Sequence, residues 1–139
     1  MVGTSLNRAN KGEAALEINR LLSGNPPLPV PNPLKSKNGL TYKSNPKHTL
    51  GQSGNRANAG IEPRNSFELF GNSVQSGRKR YSLDSSGNIH QYTNANDGTW
   101  HWAGRTGSDQ PSAQRLNVEN IPNEVFSKLG TSYTTVRKK

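Results

Sequence analysis

At 139 residues, with 29% hydrophobic side chains, 14 glycines and 9 prolines, the chain has material for one domain with a small core, built from short elements and turns rather than long helices. Eighteen Lys and Arg against nine Asp and Glu give a formal net charge of +9 and a pI near 10.2, which favours a polyanionic partner, nucleic acid or an acidic protein, over an anionic membrane. Cysteine is absent, which excludes disulfides, thiolate zinc sites and a cysteine nucleophile.

No apolar run is long enough to span a bilayer, and no charged-then-apolar leader opens the chain, so no membrane anchoring is expected. Residues 13–22 (EAALEINRLL) place Ala15, Ile18 and Leu22 at helical spacing, with Gly24 as a stop. Five prolines then fall in the nine positions from Asn25 to Pro33, a run that reads as an extended linker. Residues 1–33 are thus expected to be a helix and Pro-rich linker, and residues 34–139 the functional domain. From Thr41 to Pro63 the chain is polar and without apolar period, which suggests a functional loop carrying Lys43, Lys47, His48 and Arg56. Asn65 followed by Glu68 reads as a helix start, with Phe67, Phe70 and Val74 on one face and Gly77 at the end.

Residues 78–105 carry the strongest pattern. After Arg78, Lys79 and Arg80, the residues Tyr81 and Leu83 alternate with polar neighbours; a turn follows at 85–88, then alternation resumes over Ile89 to Tyr92. A second turn at 94–98 leads into Thr99-Trp100-His101-Trp102-Ala103. Residues two apart on a strand share a face. If Ile89 and both indoles point to one core, His90, Tyr92, Thr99 and His101 line the opposite, open face. Pro122 to Gly130 suggests a short helix, and the β-prone residues Thr131 to Val136 suggest an edge strand.

Carboxylates are few and scattered, so neither a two-metal site nor any other cofactor is expected, and no Gly-rich phosphate loop is present. Metal-independent RNA cleavage needs less: one group takes the 2′-hydroxyl proton, another protonates the leaving oxygen, and cations stabilise the phosphorane. Histidine suits the proton transfers. The candidates are His48, His90 and His101, with Arg64, Arg105, Thr99 and Tyr92 in support. Lys43, Lys47, Arg56, Arg78, Lys79 and Arg80 are candidates for binding RNA.

Four spans carry a family likeness: NGLTYKSNPKHT at 38–49, NAGIEPRNSFELFGNSV at 58–74, KRYSLDSSGNIHQYTNANDGTWHWAG at 79–104 and IPNEVFSKLG at 121–130. Together they resemble the C-terminal toxin modules of bacterial polymorphic toxins, the contact-dependent growth inhibition and Rhs types. The resemblance implies an effector secreted or delivered into the cytoplasm of a target bacterium and neutralised in its producer by an acidic cognate immunity protein. Many such modules are endoribonucleases of the barnase–EndoU–colicin type acting on tRNA or rRNA. The implied fold is α+β, short helices packed on a small twisted antiparallel β-sheet. His48, Arg64, His90, His101 and Arg105 are the positions the resemblance marks. A non-catalytic basic RNA-binding module is the alternative. An ADP-ribosyltransferase ranks third, because neither Glu119 nor Glu124 has a Glu or Gln two residues before it.

Overall fold

A computed structural model describes residues 30, 32–48, 60–112 and 114–139. The helix expected at 13–22, most of the proline run and Arg56 lie outside the described residues. Six strands form one sheet in the order β1-β2-β6-β5-β4-β3. They are β1 (Leu34–Lys35), β2 (Thr41–Tyr42), β3 (Val74–Ser76), β4 (Lys79–Leu83), β5 (Ile89–Asn94) and β6 (Trp100–Arg105). Among the described residues, three short helices accompany them: α1 (Ser66–Gly71), α2 (Asn123–Lys128) and α3 (Tyr133–Arg137). The fold is α+β. The sheet is mixed rather than purely antiparallel, because β2 pairs with β6 in parallel.

The turns explain the meander. Between β4 and β5, Asp84 Oδ1 accepts from the amides of Ser86 and Asn88, each at 2.9 Å. Gly87 takes φ +88 there, a left-handed conformation that glycine adopts without steric cost. Between β5 and β6, Asp97 Oδ1 accepts from the Thr99 amide at 3.0 Å and from its hydroxyl at 2.7 Å. Both carboxylates take up local donors and so fix the strand register.

Two apolar clusters sit on opposite faces of the sheet. One gathers Val30, Tyr42, Phe67, Phe70, Tyr92, Trp100 and Trp102 beneath α1. The other gathers Tyr81 and Ile89 with Ile121, Val125, Phe126 and Val136 beneath α2 and α3. The expectation of a single core is therefore corrected. Ile89 and the indoles point into different layers, and the register pairs Tyr92 with Trp102. His90 and Tyr92 accordingly turn inward with the indoles, at 1% and 0% exposure.

Three local expectations also change. The helix begun at Ser66 ends at Gly71, and Val74 opens β3 instead of extending the helical face. Asn65 occupies the N-cap without a side-chain cap bond, and the Ser73 hydroxyl closes the far end by donating to the Phe70 carbonyl at 2.7 Å. Thr131–Val136 forms no edge strand. Ser132 Oγ accepts from the Thr135 amide at 3.1 Å and starts α3, which swings Val136 into the core; capping and burial override β propensity. In the polar stretch after Thr41, Tyr42 is a fully buried strand residue. Val30, inside the expected linker, is buried against it and exchanges two 2.8 Å hydrogen bonds with Ser44. Pro122 and Gly130 bracket α2 as the sequence suggests, Gly130 at φ +73.

Candidate functional site

The three histidines do not converge. His48 and His90 flank the Trp102 indole under α1, with ring centroids at 5.3 and 6.3 Å. His90 is held at both nitrogens. Its Nδ1 accepts from the indole N–H of Trp102 at 2.9 Å, and its Nε2 lies 2.8 Å from Asp84 Oδ2. An indole can only donate, so the ring hydrogen sits on Nε2 and points at Asp84. Burial opposes charge on Asp84, but the bonds from His90 and from the Asn88 and Ser86 amides outweigh it and hold the carboxyl below the usual range. This Asp84–His90–Trp102 chain is a structural tie with no imidazole nitrogen left for substrate, which corrects the placement of His90 on an open face.

Tyr92 is corrected for the same reason. Its hydroxyl donates to the Ser66 carbonyl at 3.0 Å, and burial pushes the phenol well above its ordinary value. Beside it, Tyr42 donates to buried Glu62 and lies 2.5 Å from Ser66 Oγ, while Ser44 Oγ donates to Glu62 at 3.1 Å. Burial and then the Glu62 charge raise the Tyr42 pKa. His48 is 5% exposed, with Nδ1 3.3 Å from the Gly60 carbonyl. These groups belong to the interior. Sequence reading missed Glu62 and Tyr42 because both sit in a stretch with no apolar period.

His101 is different. It is partly exposed on the face opposite the indoles, and its Nε2 lies 2.8 Å from Thr93 Oγ1, its cross-strand partner. Thr93 is in turn opposite Lys79 on β4. Lys79, Thr93 and His101 therefore form one row across three strands, on a stretch of the sheet where α2 and α3 cover Tyr81 and Ile89 instead. Directly opposed residues on neighbouring strands lie about 5 Å apart at Cβ, so Thr93 stands next to both Lys79 and His101. Thr99 does not join it. Its side chain is 7% exposed and bonded to Asp97.

The remaining candidates scatter. Arg105 is four residues from His101 along β6, about 13 Å away, and its guanidinium grips Asp109 at 2.7 and 3.1 Å. Arg64 is exposed in the turn before α1. Arg80 faces the indole layer: it lies 6.0 Å from the Trp100 ring centroid and donates to the Ser73 hydroxyl and carbonyl at 2.8 and 2.7 Å. Burial lowers its pKa from the ordinary arginine value. Lys43 follows β2, its amide donating to the Trp100 carbonyl at 2.9 Å, and Lys47 lies in the 3-10 turn Pro46–His48. Arg78 sits exposed on the β3–β4 turn, beside Lys79. Among the described residues, no group of three or more metal-ligating side chains gathers, and no helix is long and apolar enough to cross a membrane.

Beyond Lys79 and Thr93, at the end of the sheet, a cleft of about 460 Å³ opens between the β3–β4 turn, the end of β5 and the start of β6. Comparison with protein families, curated proteins and solved structures gives no match. The site stands on its own geometry.

Proposed function

We propose that this chain is an RNA-cleaving effector module, delivered into a target bacterium and restrained in its producer by an acidic immunity protein. The observation that carries the reading is the row Lys79–Thr93–His101: an imidazole at the surface, oriented by a hydroxyl and in register with an ammonium. In the cleavage step, His101 takes the proton of a ribose 2′-hydroxyl, whose oxygen attacks the adjacent phosphorus. The bond to the 5′-oxygen breaks, water supplies the proton to that leaving group, and a 2′,3′-cyclic phosphate remains. Lys79 offsets the charge that builds on the phosphorane. Thr93 sets the ring orientation. The net charge of +9 draws the polyanion to this face.

Binding without cleavage is the second reading, favoured by the burial of His48 and His90, which leaves His101 to act without a second imidazole. The two readings part in one experiment. Purified protein is incubated with total bacterial RNA beside His101→Ala and Lys79→Ala, with melting curves for all three. A general acid–base group contributes about 10²–10⁴ in rate, so His101→Ala should lose cleavage by that factor while melting as wild type. Intact RNA after exposure to wild type, together with normal growth of cells expressing it without a partner gene, would sink the cleavage reading and leave the binding module.

A further inference from the structure

We infer that the cleft at the end of the sheet is a nucleotide subsite that takes one unpaired residue of single-stranded RNA beside the bond handled at His101; this rests on the RNA-directed reading of that face. The connection is physical. Thr93 is at once a wall of the cleft and the hydrogen-bond partner of His101, so an occupant whose phosphate meets Thr93 and Lys79 lies at the imidazole.

The lining fits such an occupant. Its volume of about 460 Å³ falls within the range of small-ligand sites, roughly 300–1,000 Å³. Among the described residues, the Arg78 and Lys79 side chains bring two cations and no acidic side chain lines the cleft. Asn94 brings a carboxamide, a donor and an acceptor side by side, which matches the polar edge of a nucleobase. The groups behind them are fixed. Arg80 holds Gln75 through its Oε1 at 3.2 Å and stands over Trp100, so two walls are set before anything binds. Walls fixed in advance reduce the ordering cost of binding.

A base can enter only if it leaves its stack. Paired bases in an A-form helix are buried in the stack, whereas loops and ends present bases that splay outward. The substrate class is therefore an RNA loop or single strand, not a duplex.

The test uses the full chain and a fluorescent 2′-O-methyl oligonucleotide, which has no free 2′-hydroxyl and so reports binding alone. Anisotropy is recorded for the single strand, for the same sequence in duplex, and for Asn94→Ala and Arg78→Ala. The single strand should bind at least about tenfold tighter than the duplex, and each substitution should weaken the single strand by about tenfold while leaving the duplex nearly unchanged. Equal binding of both forms, or variants that bind as wild type, overturns the subsite. Binding of an acidic peptide that Asn94→Ala and Arg78→Ala abolish, while both variants bind RNA as wild type, assigns the cleft to a protein partner and overturns it too. Cleft-dependent binding without any cleavage of natural RNA overturns the proposed activity instead and keeps the subsite.

Discussion

The indole N–H of Trp102 donates to Nδ1 of His90 at 2.9 Å, tying β6 to β5 through a side-chain bond that lies wholly inside the protein. Its other end is Asp84, at the β4–β5 turn. Removing the imidazole thus strands the buried Trp102 indole N–H and takes one donor from half-buried Asp84. His90→Ala should lose stability by about 1–3 kcal/mol for the unsatisfied groups alone, with the added loss of packing. Urea unfolding reads this directly, and a midpoint equal to wild type would show that the tie carries no energy. His101→Ala, with a partly exposed side chain, should change stability by less than about 0.5 kcal/mol.

Acid should attack the same turn. Asp84 has its carboxyl held below the usual range, so the charged form is favoured in the folded chain. The sign follows: the stabilisation is fully present above the ordinary carboxylate value near ~3.9 and is lost as pH falls through the folded value. Asp84→Asn should lower the melting temperature at pH 7 and flatten its decline below pH ~4. A variant whose melting curve falls with acid as steeply as wild type would contradict this.

Tyr42 supplies Glu62 with one of its donors in the interior. Tyr42→Phe keeps the ring packing against Phe67 and Phe70 yet takes a hydrogen bond from a buried carboxylate. The expected cost is about 1.5–3 kcal/mol, typical of bonds to charged groups. Chemical denaturation of Tyr42→Phe beside Ser44→Ala measures it, and a change below ~0.5 kcal/mol would mean that Glu62 finds a replacement donor.

Trp100 and Trp102 are 6% and 1% exposed. Replacing either by Ala should cost about 3–5 kcal/mol, as expected for a large buried aromatic. Thermal melts decide it. Full retention of stability would mean that the layer beneath α1 does not hold the sheet.

Much of this was legible in the sequence because it is local. The strands from Lys79 to Arg105 and their turns follow from alternation and from Asp-rich and Gly-rich connections a few residues long. Trp100 and Trp102 read as core because their spacing of two puts both on one face. What alternation cannot say is which neighbouring strand's face that is. His90 and Tyr92 share a face, but only the Tyr92–Trp102 pairing shows it to be the indole face. With both sides of the sheet covered, Ile89 and the indoles are equally apolar and equally buried in different layers, and hydrophobicity no longer distinguishes inside from outside. Tyr42 and Glu62 escaped for a related reason: a two-residue strand has no period to detect. Ser132 could have been recognised as a helix cap, from Thr135 three residues later, had the β-branched run not suggested a strand.

The parallel pairing of β2 with β6 has a consequence for the order in which the sheet assembles. β3 to β6 are joined by short turns, so their ladders close over small loops at low entropic cost. Tyr42 meets Trp100 across an intervening segment that must first find its path, which makes this contact slow to form and early to break. Opening at β2 would bare the indole layer while α2 and α3 still shield the other side. Hydrogen exchange should therefore be faster at the bonded amides of Lys43 and Ser44 than along β4 and β5. The meander can stay formed while the first strands open and close at its edge.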